Sequence, residues 1–142
     1  MRAQPAKLWD ILTGKVVREL TRSASFYSVF LPDGKILSAG SMDNGLELWD
    51  PMTDRTIWSR NGHTASVDFL AVSASGAVAV SASRMAGTIL VWDTATGRLL
   101  RSITLPKGQR PFALSPDGRK LLIHDGDVVG LHTMIKLCDT TT

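Results

Sequence analysis

The sequence contains little cysteine, few aromatic residues and no long apolar run. One Cys among 142 residues excludes an internal disulfide, and aromatic side chains make up only 6% of the chain. The N-terminus lacks an apolar signal segment, no Asn-x-Ser/Thr sequon occurs, and no stretch approaches the roughly 18 apolar residues of a membrane helix. These absences argue against a secreted or membrane-spanning protein, so we expect a cytoplasmic one.

Charge of one sign is not concentrated in any segment. The formal net charge is +3, from 16 Lys and Arg against 13 Asp and Glu, and the basic residues are scattered along the chain. Blocks of about five or six like charges, which are typical of nucleic-acid-binding or membrane-binding tails, are missing. We therefore expect neither a nucleic acid nor a membrane as a partner.

The common catalytic motifs are missing as well. The sequence has no G-x-S-x-G, Walker A, G-x-G-x-x-G or H-E-x-x-H pattern. Cys138 stands on a predicted strand, where a buried thiol is favoured over a nucleophile. We predict that the protein is not an enzyme and needs no cofactor.

Helical periodicity is absent, whereas signals for short strands are frequent. No segment of about 11 residues or more keeps an apolar period of 3.6, so we predict no helix. Runs rich in β-branched and aromatic residues, such as "FYSVFL", "AVAVSA" and "TILVWD", are bounded by Gly, Pro, Asp and Ser. Consecutive short strands without crossover helices predict an all-β fold of antiparallel meanders.

The sequence does contain an internal repeat. Apolar strands end in Trp-Asp in "AKLWDILTGK", "LELWDPMTDR" and "TILVWDTATGR", and Cys138 replaces the Trp in "IKLCDTT". The turn glycines Gly34, Gly76 and Gly118 are 42 residues apart both times, whereas the Asp residues at the strand ends are 40, 43 and 46 apart. The stretch between the glycine turn and Trp-Asp therefore varies in length, which is how a structural repeat accommodates loop insertions.

Four short strands, labelled a to d, fit each unit and divide the chain. Residues 1–20 supply strands c and d of a partial unit, and residues 21–60 and 61–104 form two complete units. Residues 105–142 end after strand c of a third unit. Each complete unit is predicted to be a four-stranded antiparallel sheet.

A four-stranded unit of about 40–45 residues ending in Trp-Asp resembles the WD40 family of β-propellers. The segment "NGHTASV" adds the Gly-His pair of that family, 29 residues before Trp92. The resemblance covers essentially the whole chain. It implies WD40-like β-propeller blades, about three of them in an incomplete ring, and a non-catalytic scaffold for protein–protein interaction.

In this family a tetrad of His, Ser, Asp and Trp ties each blade together, and the chain keeps the tetrad only in part. The resemblance assigns tetrad-like positions to Ser41, Asp43, Trp49, His63, Ser83 and Trp92. Thr21 replaces the His of the first complete unit, Ala86 replaces the Asp of the second, and the third unit has Leu105 and Cys138. We expect blades held together more by apolar packing than by this network.

The recurring indole has a physical role in this interpretation. We expect Trp9, Trp49 and Trp92 to be buried, each with a hydrogen-bond partner for its ring N–H, as buried Trp generally requires. The Asp that follows each of them is expected to accept backbone N–H bonds in the c–d turn.

About three blades leave apolar faces and strand edges uncovered at both ends of the array. Propellers typically have about 4–8 blades, and each blade needs a neighbour to cover its face. We expect either self-association, which would make the protein an oligomer, or the remaining blades of a longer chain.

Loops d–a and b–c of a meander lie at one end of the sheets, and this end carries the predicted partner-binding residues. It is rich in Arg and Met, which are enriched in protein interfaces. The predicted residues are Arg22, Met42, Asn44, Arg60, Arg84, Met85, Lys107, Arg110, Asp125, Asp127 and His132. His124 and His132 flank the longest b–c insertion, but its carboxylates favour a solvated loop, and we predict no metal site.

Two alternatives to the scaffold remain open. In the first, the chain is a regulatory WD40 segment of a larger signalling or NTPase chain. In the second, it is an enzyme or sensor on a different propeller type, such as a quinone-cofactor or lactone-hydrolysing one. The segment "SPDGRKLL" occurs across many propellers and does not discriminate between them. The combination of "LWD" with "NGH" favours the WD40 scaffold.

Overall fold

The computed structural model describes residues 5–23, 27–39, 44–125 and 134–140, with the side chains of 21–23, 125 and 134–138 left out of the description. These residues form strands and turns and no helix. No candidate for a membrane-crossing helix is found among them.

The described residues contain thirteen strands. Their bounds are β1 Pro5–Asp10, β2 Lys15–Ser23, β3 Tyr27–Phe30, β4 Ile36–Ala39, β5 Gly45–Asp50, β6 Arg55–Asn61, β7 Phe69–Val72, β8 Val78–Ser83, β9 Thr88–Asp93, β10 Leu99–Thr104, β11 Gln109–Leu114, β12 Lys120–Asp125 and β13 Met134–Asp139.

The strands form four sheets in which sequence neighbours pair antiparallel. Sheet 1 holds β1 and β2, sheet 2 holds β3 to β6, sheet 3 holds β7 to β10, and sheet 4 holds β11 to β13. The prediction of an all-β fold with four-stranded antiparallel meanders is confirmed. Strand β2 continues to Ser23, three residues past the predicted end of the first partial unit.

The glycine turns have the same geometry in sheets 2, 3 and 4. Gly34, Gly76 and Gly118 have φ values of +87°, +77° and +73°, a region that side chains with a Cβ rarely adopt. Each glycine N–H closes the turn on a carbonyl three residues earlier; for Gly76 the N–O distance to Ser73 is 2.9 Å. The constant 42-residue spacing thus marks a backbone conformation that glycine adopts without strain.

The Asp at the end of each third strand organises the next turn. Asp10 Oδ1 accepts the backbone N–H groups of Leu12 and Thr13 at 2.8 and 3.0 Å. Asp50 and Asp93 accept turn N–H groups in the same way, at 2.8 and 3.1 Å. The N–H of Thr13, followed by that of Leu12, lowers the pKa of the Asp10 carboxyl. The predicted capping role of these Asp side chains is confirmed.

The hydrophobic core lies between the sheets rather than within any one of them. In β9, Leu90 and Trp92 pack with sheet 2, whereas Ile89 and Val91 pack with sheet 4. This alternation is the two-residue period of a strand that is covered on both faces. A smaller cluster that contains Leu20 joins sheet 1 to sheet 2. No sheet therefore has a core of its own.

Two of the three predicted indoles are buried plugs in these layers. Trp49 and Trp92 are 5% and 2% exposed, and their Nε1–H groups donate to Ser38 and Ser81 at 3.0 and 2.9 Å. Trp9 is 55% exposed, so the prediction of its burial is wrong. The reason is that each buried indole packs toward the preceding sheet, and no described sheet precedes sheet 1.

The fourth tryptophan, Trp58, is not part of a Trp-Asp motif, yet it connects two sheets. It lies in β6, is 6% exposed, and its Nε1–H donates to the carbonyl of Thr94 at 2.8 Å. Gly97 packs against the indole so closely that a Cβ there would lie 2.7 Å from the ring. Trp58 therefore binds the outer strand of sheet 2 to the c–d turn of sheet 3.

The sheets approach one another at their first strands. Backbone contacts between sheets are found for β3 with β7 and for β7 with β11. Because the a strands converge in this way, residues at their N-terminal ends from three different sheets come together at one end of the array.

Removing a buried indole should be far more costly than removing the exposed one. We expect Trp49→Ala and Trp92→Ala each to lower the free energy of unfolding by about 3–5 kcal/mol, because a large buried ring is lost. Trp9→Ala, the matched control, should cost about 1 kcal/mol or less at a protein concentration at which the chain is monomeric. Urea denaturation followed by far-UV circular dichroism measures all three, and equal costs at the three positions would contradict the layered core.

Candidate partner-binding face and its cleft

The d–a and b–c loops lie at the same end of the sheets, as the meander topology requires. Arg84 and Met85 stand in the turn after β8, Lys107 lies between β10 and β11, and Asn44 precedes β5. The side chain of Met85 is 83% exposed, and those of Arg84 and Lys107 are also exposed. We call this end the loop face.

An open cleft of about 490 Å³ lies in the loop face where the first strands converge. It collects residues from sheets 2, 3 and 4. Its lining residues are Tyr27, Asp68, Phe69, Arg84, Arg110, Pro111, Phe112 and His124. Two of these, Arg84 and Arg110, belong to the predicted partner-binding set, so the structure brings both into one depression.

The register of the strands explains part of this lining. Tyr27 pairs with Ala39 in sheet 2, and Phe69 occupies the corresponding place in sheet 3. In sheet 4 the corresponding residue is Arg110, which pairs with His124. An aromatic ring opposite a small residue is thus replaced in the last sheet by a guanidinium opposite an imidazole.

Phe112 enters the cleft because of an irregularity in β11. The ladder between β11 and β12 changes register between Pro111 and Ala113, so Phe112 has no partner residue in it. Such a bulge turns the extra side chain away from the regular alternation. Phe112 is 46% exposed, whereas Pro111 is buried.

Asp68 and Arg84 form the charged wall of the cleft. Asp68 Oδ2 accepts the backbone N–H of Arg84 at 3.1 Å and lies 3.8 Å from its Nε. Because both side chains are partly exposed, at 30% and 58%, this ion pair orients the guanidinium more than it stabilises the fold. Asp68 is not among the residues predicted from the sequence, because it belongs to no motif.

His63 anchors the d–a loop of sheet 3 close to this wall. Its Nε2 lies 2.7 Å from Ser81 Oγ, and its Nδ1 lies 3.2 Å from Thr88 Oγ1. The same serine oxygen accepts the Nε1–H of Trp92, so one hydroxyl joins the loop, strand b and strand c. Gly62 permits this arrangement, because a Cβ there would lie 2.8 Å from the ring of Trp92.

Burial of His63 favours its neutral form. Desolvation lowers the pKa of His63, and the charge of Asp68 opposes that shift without reversing it. With Nε2 unprotonated, Ser81 can donate to His63 while it accepts from Trp92, and Nδ1–H can donate to Thr88. Protonation of His63 at Nε2 would make this nitrogen a second donor to Ser81 Oγ, beside the indole N–H of Trp92. The hydroxyl hydrogen of Ser81 would then lose His63 Nε2 as its acceptor.

The structure corrects the predicted tetrad at its serine. Ser81, rather than Ser83, bridges His63 and Trp92, and Ser83 instead accepts the backbone N–H of Ala86 at 3.2 Å. Because residues two positions apart lie on the same face of a strand, the alternation pattern does not distinguish Ser81 from Ser83.

The Trp–Ser hydrogen bond recurs in sheet 2, whereas sheet 4 has an apolar residue at the histidine position. In sheet 2 the indole N–H of Trp49 donates to Ser38, whose hydroxyl lies 2.9 Å from that of Ser28. Ser41 and Asp43, predicted for this network, lie outside the described residues. In sheet 4 Leu105, which occupies the histidine position, is buried in the apolar layer between sheets 3 and 4.

The remaining predicted partner residues are distributed differently. Met85 and Lys107 are exposed on the loop face outside the cleft. Arg60 instead points along the outer side of the sheets, where its Nη2–H donates to the carbonyl of Thr96 in the next c–d turn at 3.3 Å. Asn44 has a left-handed backbone with φ of +55°.

Several predicted residues fall outside the description. Their side chains are not described, although two of them lie on strands. These residues are Arg22, Met42, Asp125, Asp127 and His132. Within residues whose placement is described, no group of three or more metal-ligating side chains is found.

The state of His63 predicts a pH dependence of stability. Because the folded pKa lies below the ordinary value of 6.5, the unfolded chain binds more protons between these two values. Stability is therefore complete above about pH 6.5 and decreases as the pH falls toward the folded pKa.

Urea denaturation at a series of pH values from about 7.5 to 5 measures this effect, since carboxylates near their ordinary pKa titrate lower. His63→Asn, which cannot titrate, is the matched control. We expect its stability to vary less with pH than that of the wild type. Parallel curves for the two proteins would contradict a buried neutral imidazole.

Comparison with known proteins gives relatives that are longer than this chain. The "U3 small nucleolar RNA-associated protein 21 homolog" of Schizosaccharomyces pombe is 29% identical over 88% of this chain and 14% of its own length. The "Ribosome biogenesis protein YTM1" of Candida albicans is 33% identical over 85% of this chain and 28% of its own. "Protein ROOT INITIATION DEFECTIVE 3" of Arabidopsis thaliana is 30% identical over 78% and 28%. The chain thus spans less than a third of each of these relatives.

These relatives contradict the expected cytoplasmic location. Ribosome biogenesis proteins and a small nucleolar RNA-associated protein act in the nucleolus and nucleus. The expectation rested on the absence of secretion and membrane signals, and that absence does not distinguish between the compartments inside a cell.

A similar fold occurs in a solved structure, "Kuenenia stuttgartiensis Hydrazine Synthase", with a TM-score of 0.71 over 92% of this chain and 38% of that one. At 23% identity this likeness shows the fold alone. The family description "WD domain, G-beta repeat" matches residues 14–50 and 54–93. Each match runs from the outer strand of one sheet to the Trp-Asp end of the next sheet's third strand. The chain therefore belongs to the WD40 repeat family.

Proposed function

We propose that this chain is a non-catalytic scaffold that binds partner proteins through its loop face. The observation that carries the proposal is the cleft of about 490 Å³, in which aromatic and Arg side chains from three sheets are presented together. Aromatic residues and Arg dominate the binding energy of protein interfaces. The exposed Met85 beside this cleft adds a side chain that adapts to different partner surfaces.

The names of the relatives support the proposal that this chain acts as part of a multicomponent assembly. They include ribosome biogenesis proteins and a small nucleolar RNA-associated protein, which work in multicomponent particles. We propose that this chain contributes one segment of a propeller to such an assembly. Its 14–28% share of these relatives' lengths favours the alternative that it acts within a larger chain.

The outer face of sheet 1 supports a second part of the proposal, that further sheets cover the ends of the array. Trp9 is 55% exposed, whereas Trp49 and Trp92, at the corresponding places of sheets 2 and 3, are buried against the preceding sheet. We propose that a second copy or an additional blade packs there. The same contact would give Trp9 the apolar surroundings that Trp49 and Trp92 have.

Photocrosslinking from the two ends of the sheets tests which face binds partners. A photoreactive phenylalanine analogue at Met85 on the loop face should crosslink to partner proteins in a native extract. The same analogue at Met52, 61% exposed in a c–d turn at the opposite end, is the matched control. We expect crosslinks mainly from position 85, and their loss in the Arg84→Glu background. Because the Arg84 side chain is 58% exposed, we expect this substitution to leave the fold intact. Crosslinks that arise equally from both ends would contradict the assignment of the face.

Light scattering after size exclusion tests whether sheet 1 is covered by another copy. We expect the isolated chain to have a mass above that of one protomer, and Trp9→Glu to reduce it, because a charge would enter an apolar contact. Ile11→Glu is the control, since Ile11 is 92% exposed in the neighbouring c–d turn. A wild type that remains a monomer at all concentrations would leave an additional blade, rather than self-association, as the cover.

A further inference from the structure

We propose that the cleft binds an acidic peptide segment in which a carboxylate side chain lies next to an aromatic or aliphatic one. This inference rests on the proposed function, because it names the chemistry of the partner at the same face. Three features of the cleft carry it: an excess of positive charge, a partly exposed aromatic wall, and a carboxylate that disfavours a polyanion.

The positive charge comes from Arg110. The other guanidinium of the cleft, that of Arg84, is already held by Asp68 at 3.8 Å. Among the side chains that the structure describes, Arg110 has no ion pair, and its cross-strand partner is His124 rather than a carboxylate. A guanidinium binds a carboxylate through two parallel hydrogen bonds, which is the strongest use of this unpaired cation.

The aromatic wall comes from three sheets. Tyr27 and Phe112 are 40% and 46% exposed, and Phe69 lies between the sheets at the base of the same cleft. Partly exposed rings that flank a cation provide an apolar contact directly beside the charge. A ligand that fits must therefore place an apolar group next to its carboxylate, within the length of a few residues.

The shape and charge of the cleft favour a peptide over a nucleic acid. A volume of about 490 Å³ accommodates a few side chains and lies in the range of ligand sites. Asp68, 30% exposed, contributes a negative charge to the same wall, which would repel the continuous phosphates of a nucleic acid. An isolated peptide carboxylate can bind Arg110 and keep its distance from Asp68.

The sequence of the last sheet supports a binding role for Arg110. Sheets 2 and 3 place Tyr27 and Phe69 at the corresponding first-strand position, opposite Ala39 and Ala82. Sheet 4 departs from this pattern, with Arg110 at this place and His124 opposite. A guanidinium at this place does not contribute to apolar packing between the sheets, whereas it can bind a carboxylate of an acidic partner.

The test uses fluorescent peptides with blocked termini on the full chain. The first peptide alternates Glu with Leu and Phe; the second replaces each Glu with Gln, and the third replaces each Leu and Phe with Ser. Fluorescence anisotropy at low ionic strength should show binding of the first peptide, weakened at least about tenfold in each of the other two, since a charge-assisted hydrogen bond is lost or the ring contacts disappear.

Matched protein variants locate the binding. Arg110→Gln should weaken binding of the first peptide at least about tenfold, and Phe112→Ala should weaken it as well. Arg119→Gln removes the same charge from the exposed a–b turn at the opposite end and should leave binding unchanged. Amide shifts of Phe69 and Phe112 in the NMR spectrum should follow the titration. If Arg110→Gln does not fold, the three peptides on the wild type still decide the question.

Several results would overturn the inference. Equal binding of the Glu and Gln peptides, equal effects of Arg110→Gln and Arg119→Gln, or no binding of the first peptide would each do so. A single-stranded oligouridine that binds more tightly than the first peptide and depends on Arg110 would assign the cleft to nucleic acid instead. If crosslinks from position 85 persist while the peptides fail, the scaffold function stands and only the acidic peptide is wrong.

Discussion

Every sheet of this protein depends on a neighbouring sheet to cover its apolar faces. The strands are short, each carries apolar residues on both faces, and the buried clusters form between sheets. An indole lies at two of these layers, and its ring N–H must be satisfied there, because an unpaired buried donor costs about 1–3 kcal/mol. Ser38 and Ser81 meet this need for Trp49 and Trp92. The serines are therefore as much a part of the core as the rings.

The candidate site is a consequence of the same layering. Because the sheets approach one another most closely at their first strands, the ends of those strands assemble a surface that no single sheet provides. The loop that carries Asp68 is fixed by His63, which shares Ser81 with Trp92. The core and the binding face are thus connected through one hydroxyl group, so damage to the network at Ser81 would also move the wall of the cleft.

Much of the fold was predictable because glycine and Trp-Asp mark fixed places in a repeat. Gly34, Gly76 and Gly118 require a positive φ, and the Asp residues cap turns, so their spacing reveals the strand order. The exact register of the strands was harder to predict. Ser81 and Ser83 lie on the same face of β8, and only the pairing of Ser81 with Leu90 distinguishes them. The exposure of Trp9 depends on which sheet precedes it, and local sequence does not contain that information.

The cleft was only half predictable. Arg84 and Arg110 followed from topology, since d–a and b–c loops must share an end. Asp68 and Phe112 did not follow from topology. Asp68 lines the cleft through its contact with Arg84, 16 positions away, and Phe112 enters it through a bulge in β11. Neither leaves a pattern in the sequence. Membership of the WD40 family was visible from the residues, whereas the cellular compartment was not.

Hydrogen exchange at the indole N–H groups tests the central claim most directly, since the NMR signals of all four tryptophans are separate from the backbone. The layered core predicts slow exchange for Trp49, Trp58 and Trp92, whose N–H groups are buried and hydrogen-bonded. Trp9, half exposed on the outer face of sheet 1, should exchange rapidly in the monomer. Rapid exchange at Trp49 and Trp92 in the folded protein would show that the sheets do not cover one another, and would contradict the account.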